Sequence, residues 1–187
     1  WLMGRILLTG LTPFLIIAVD NLMIIVLNAL LQRYGGESQG DLLVAAATIS
    51  QSFMLVVTMP LGGMTGGTAS ILGYNLGAGQ PKRILEAQKY ILIIAVAYTG
   101  VLCLVGQLFA APFTRIFTPD VQVSALAVTA IRITSMGIVP LGVQYVIVDG
   151  LTGMGMMRYS LPLSAFRKLV YFVAIFILPA AFGAVEA

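Results

Sequence analysis

Two carboxylates, Asp20 and Asp149, lie inside long apolar stretches. A carboxylate at mid-bilayer depth costs about 2.5–3.5 kcal/mol on insertion scales, so it marks an ion site, a proton relay or a specific pairing. Asp20 sits near the middle of the run 6–31. Asn21 and Asn28 are seven residues apart and share one helix face, about 100° round from Asp20. Thr9 lies nearly in line with Asp20, and Pro13, two turns before it, should bend the helix. Together these residues form a polar sector turned away from lipid. Asp20 reads as a group that binds a cation, such as sodium, or a proton. The asparagines read first as interhelical hydrogen-bond glue, with Asn21 also placed to add an oxygen beside Asp20.

Asp149 follows Gln144 and Tyr145 on one predicted helix. A carboxylate beside a phenol and an amide suits a cation or a proton. The alternatives are snorkelling to the membrane surface or pairing with Arg158. Gln51, Thr58 and Thr65 recur every seven residues, and Thr68 extends the line. Such a stripe lines a water-filled cavity, or forms a packing seam with Gly62 and Gly66. Packing suits the threonines better, and the bulkier Gln51 suits a cavity wall.

Other chemistry is missing from the sequence. There is no histidine and a single cysteine, Cys103, so no Ser/His or Cys/His pair exists. No Gly-x4-Gly-Lys-Ser/Thr phosphate loop occurs either. The glycine-rich stretch 73–79 follows a membrane helix rather than a strand, which argues against phosphate cradling. The expectation is a non-enzyme, without its own ATPase and with no cofactor beyond a coupling proton or sodium ion.

The elements that must position these groups are membrane helices. Of the 187 residues 59% are hydrophobic and 9% charged, against roughly 25% charged in soluble domains. Five apolar segments stand out, 6–31, 42–76, 84–113, 121–157 and 161–182. They are too long for barrel strands, so the fold class is an all-α integral membrane bundle of about five transmembrane helices in a single domain, 1–187. Pro81 and Pro119 suit helix starts. Pro60 and Pro140, each followed by Leu-Gly, should kink the second and fourth segments. This Pro-Leu-Gly echo hints at an internal repeat.

Arg5, Lys82, Arg83, Lys89, Arg158, Arg167 and Lys168 gather on one side of the alternating segments. Arg33 and Arg115 stand on the other with Glu37, Asp41, Asp120 and Glu186, while Arg132 fits neither side. The positive-inside rule makes the first side, and the N-terminus, cytoplasmic. Basic residues confined to loops do not suggest a nucleic-acid partner. The chain begins at Trp1 without a signal peptide and reads as a piece of a longer protein.

The stretch Gly73-Tyr74-Asn75-Leu76-Gly77-Ala78-Gly79-Gln80-Pro81-Lys82-Arg83 closely resembles a signature of the multidrug and toxic compound extrusion family. Further likeness runs through Arg33-Tyr34-Gly35-Gly36, Ala45-Ala46-Ala47 with Ile49, and Ile116-Phe117-Thr118 with Asp120. It continues in Pro140-Leu141-Gly142-Val143-Gln144, Gly153, Gly155 and Arg167-Lys168. The resemblance implies a twelve-helix transporter of two lobes, with this chain matching helices seven to eleven. The first lobe and the last helix have no counterpart in it.

It further implies antiport at the inner (plasma) membrane, in which a proton or sodium gradient drives export of cationic lipophilic drugs or metabolites. The lobes would rock around a central cavity. The implied partners are small organic cations, membrane lipids and the missing N-terminal lobe. Acidic residues on the seventh and tenth helices of some members would map to Asp20 and, a few residues out of register, to Asp149; Gln144 stands nearer the family's position. On this basis Asp20, Asn21 and Asp149 are the expected coupling-ion residues. Gln51, Thr58, Gln144 and Tyr145 are the expected substrate contacts. The alternatives are a lipid-linked sugar flippase, which needs a basic cavity, or a non-transporting membrane scaffold.

Overall fold

A computed structural model describes the backbone of residues 2–182, and the side chains of residues 14–177 other than 15, 16, 37 and 38. The expectations for Arg5, Thr9, Glu37, Glu186 and the Pro13 side chain lie outside the described residues. All described elements are helices: α1 (Leu2–Gly77), α2 (Pro81–Phe117), α3 (Val121–Met136), α4 (Ile138–Gly153) and α5 (Met157–Phe182).

The ten-residue polar link expected after the first apolar segment is nearly absorbed into α1. Its helical geometry is interrupted at Gly36, with φ 62° and ψ −166°. That positive φ is available to glycine at little cost. The turn is tight: a Cβ on Gly35 would come within 2.6 Å of the Gly40 Cα. α1 therefore consists of two arms, and four stretches are long and apolar enough to cross a membrane: Ile17–Gly36, Gln39–Gly77, Pro81–Phe117 and Met157–Ile177. α3 and α4, bent by 49°, make a fifth when taken as one broken span. The Gln39–Gly77 stretch has 39 residues, about 58 Å of helix, well beyond a hydrocarbon core of about 30 Å.

The helix ends follow local chemistry. Pro81 opens α2, and the Asp120 carboxylate caps α3 by accepting from the Gln122 and Val123 amides. The signature around Gly79 is a Schellman turn. Gly79, at φ 64°, donates to the Leu76 carbonyl, and Gln80 donates to that of Asn75. α4 ends in the same turn: Gly155 donates to Thr152 and Met156 to Leu151. The two halves of the Pro-Leu-Gly echo thus terminate alike.

The chain divides into two compact units, Trp1–Val44 with Leu163–Ala187, and Ala45–Pro162. In the 45–162 unit, buried positions recur every four residues: Val123, Ala127, Ile131 and Ser135 on α3, and Ile138, Gly142, Val146 and Gly150 on α4. Small residues let backbones approach closely, which is how helices associate where lipid removes the hydrophobic drive. Gly142 lies against Thr99 of α2, Gly150 against Gln88, and Gly153 against Ala69 of the second arm of α1. Phe53 meets Phe113 edge-on at 5.4 Å. Gly62 and Gly66, expected in a packing seam, have no neighbour within 4 Å of where a Cβ would stand.

The prolines do not act alike. The expected break in the fourth segment falls at Gly137, three residues before Pro140. α2 breaks in the same place relative to Pro112, at Phe109 (φ −113°, ψ 15°). Pro60, where a kink was also expected, leaves helical φ and ψ intact.

Candidate functional site

The two carboxylates lie in different units, and each has a specific partner. In the first, the Lys168 ammonium stands 2.8 Å from Asp20 Oδ1. Lys168 is eleven residues beyond the start of α5, about 16 Å along the helix. It is a helix charge rather than a loop charge. The pair is asymmetric: the Lys168 side chain is 9% exposed and that of Asp20 48%. An ammonium at this depth supplies the counter-charge that lets an intramembrane carboxylate persist.

The asparagines near Asp20 differ in their bonding. The Asn21 amide donates to the Ile17 carbonyl of its own helix at 2.9 Å. Asn28 Oδ1 is buried without a hydrogen-bond partner among the described residues.

In the 45–162 unit, the Thr65 hydroxyl donates to Asp149 Oδ2 at 2.6 Å, joining α1 to α4. Thr65 is buried. Its hydroxyl also stands 3.1 Å from Leu61 O of its own helix, as its seven-residue companion Thr58 donates to Met54 O and Thr68 to Met64 O. Gln51 and Gln144 are half-buried. Tyr145 packs on an apolar cluster of Leu61, Ile91, Ala95 and Val146.

Beside the Thr65–Asp149 bond runs a narrow crevice lined by Thr65, Thr68, Gln88, Ile91, Val146 and Gly150, among others. Gln88 donates to Val146 O at 3.0 Å, and its Oε1 is buried without a hydrogen-bond partner among the described residues. Sequence reasoning missed Gln88 and Lys168. For Lys168 a signal existed, since a lysine well inside an apolar run carries the same cost as Asp20. For Gln88, in the opening turns of α2, no pattern pointed inward.

Of the expected site residues, Asp149, Gln144, Tyr145, Gln51 and Thr58 belong to the larger unit, and Asp20 and Asn21 to the smaller. Among the described residues no group of three or more His, Cys, Asp or Glu is arranged to hold a metal ion.

Apolar spans, a broken helix and intramembrane charges that meet specific partners define a multi-pass membrane protein of the transporter kind. The MatE family model matches residues 17–177, and the chain belongs to that family of transporters. No curated protein and no solved structure matches it.

Proposed function

We propose that the chain is part of a secondary active antiporter that exports lipophilic organic cations in exchange for protons or sodium ions, with Asp20 as the exchanging carboxylate. The observation that carries this reading is the Asp20–Lys168 pair, half exposed on the acid side and buried on the amine side. Lys168 serves as a resident cation. It neutralises Asp20 when nothing else is bound and yields when a proton, a sodium ion or a drug ammonium arrives. The carboxylate is then never bare in a low-dielectric setting, where an unpaired charge is most costly. Because one carboxylate serves either cation, binding of one requires loss of the other, and exchange is obligatory.

Asp149, held by Thr65, is the second acid of the proposed coupling apparatus. Gln51, Thr58, Gln144 and Tyr145 remain the proposed substrate contacts, and Asn21 a supporting group. The reading includes a second lobe that completes the cavity, a plasma-membrane location and a cytoplasmic N-terminal side. Asp20→Asn in the whole transporter, assayed in energised vesicles, is expected to abolish gradient-driven efflux of a cationic dye. Efflux that survives with its gradient dependence intact overturns the proposal.

A further inference from the structure

Three prolines fall in the apolar stretches 42–76, 84–113 and 121–157: Pro60, Pro112 and Pro140. Each lacks the N–H that would bond the carbonyl four residues earlier, and each ring crowds that carbonyl. The carbonyls concerned are those of Val56, Leu108 and Met136. At Pro112 and Pro140 the backbone gives way three residues ahead, at Phe109 and at Gly137, where α3 and α4 diverge by 49°. The corresponding position ahead of Pro60 is Val57, and there the helix is undisturbed.

A phenol accounts for the difference. Tyr98 of α2 donates its hydroxyl to Val56 O at 3.0 Å, with Val57 O 3.4 Å away. These are the carbonyl orphaned by Pro60 and its neighbour. In lipid an orphaned carbonyl must find another donor. Tyr98 is well placed to supply one: it packs against the cluster of Leu61, Ile91, Ala95 and Val146, and it precedes Thr99, which is fully buried and fills the notch at Gly142.

We infer that Tyr98 is a positioning residue, whose hydroxyl replaces the missing Pro60 N–H and keeps the second arm of α1 straight. The effect reaches Asp149. Thr65 lies five residues beyond Pro60 on that arm and meets Asp149 at 2.6 Å. Farther along, Gly73 lies against Gly153. A bend at Pro60 carries Thr65 and Gly73 away from α4. The inference rests on backbone geometry and stands whether or not Asp20 exchanges cations.

The test measures the arm itself. Spin labels replace Leu55 and Ile71, both about half exposed, in the full chain carrying Cys103→Ser in lipid nanodiscs. Sixteen residues of straight helix separate the label sites by about 24 Å. The parent is expected to give a narrow distance distribution. Tyr98→Phe is expected to broaden it and shorten its mean by about 1 Å, the shortening that a bend at Val57 like the one at Gly137 produces between these sites. Tyr98→Phe with Pro60→Ala is expected to restore the parental distribution, because alanine, unlike proline, supplies the backbone N–H. An unchanged distribution in Tyr98→Phe overturns the inference, and so does a failure of Pro60→Ala to restore it. Where Tyr98→Phe does not fold, recovery of folding in the double variant supports the inference, and its absence overturns it.

Discussion

Asp20 and Lys168 are worth more to each other than either is alone. Removing one partner of a buried ion pair strands the other charge, whereas removing both is often nearly neutral. The exposures set the order of the effects. Asp20→Asn leaves a buried ammonium without its carboxylate and is expected to cost about 2 kcal/mol; Lys168→Gln leaves a half-exposed carboxylate and is expected to cost about 1 kcal/mol, discounted for its solvation. The double variant is expected to be more stable than Asp20→Asn, as thermal unfolding in detergent would register. At the second carboxylate, Thr65→Val is expected to cost about 1 kcal/mol, in the range of hydrogen bonds between membrane helices, and Thr65→Ser much less. Both acids were legible in the sequence, because a carboxylate in an apolar run is conspicuous by its cost. Their partners were not picked out, although Lys168 in the run 161–182 carries a similar cost. Lys168 reads as one more loop charge beside Arg167, and Thr65 as one of several threonines on a seven-residue stripe. Thr58, Thr65 and Thr68 all reach carbonyls of their own helix, and a helical period cannot say which hydroxyl also meets a carboxylate 84 residues away.

At the scale of the helices, composition and period were enough to identify the elements but not their breaks. Pro60, Pro112 and Pro140 present the same local defect, and the last two break their helices. The helix at Pro60 is straight because of a tyrosine 38 residues downstream in the chain. The glycines show the same dependence on neighbours. A Cβ at Gly142 would come 2.7 Å from Thr99 Cγ2, whereas one at Gly100 meets nothing within 4 Å. Gly142→Ala is therefore expected to destabilise the chain by about 1–3 kcal/mol through overpacking. Gly100→Ala should stabilise it by up to about 1 kcal/mol through helix propensity. Thermal unfolding of the two variants side by side checks the contrast. Equal shifts would mean that the α2–α4 approach is looser than described. Of the two prolines expected at helix starts, Pro81 opens α2, whereas Pro119 stands just outside α3, which begins at Val121 with Asp120 as its cap. Pro81 starts α2 because its missing N–H has no helical acceptor there, and the turn at Gly79 needs a positive φ.

For the molecule as a whole, the proposed orientation puts Lys82 and Arg158 on the cytoplasmic side and Arg115 outside. With Cys103 replaced by serine, a cysteine at Arg115 should react with an impermeant maleimide in intact cells. One at Lys82 or Arg158 should react only after permeabilisation, and the opposite pattern would reverse the topology. What the sequence determined by itself is the solvent and the element type. With 9% charged residues the chain is committed to a bilayer, and a bilayer admits an isolated apolar segment only as a helix that satisfies its own backbone. Family membership was also legible, in a stretch where Gly79 takes a positive φ and Gly73 lies close against Gly153. Tertiary structure alone decided which charges neutralise one another, which hydroxyl reaches Asp149, and which proline bends its helix. Each of these outcomes depends on groups brought within about 3 Å from distant parts of the chain, and hydrogen bonds and ion pairs act only at such range.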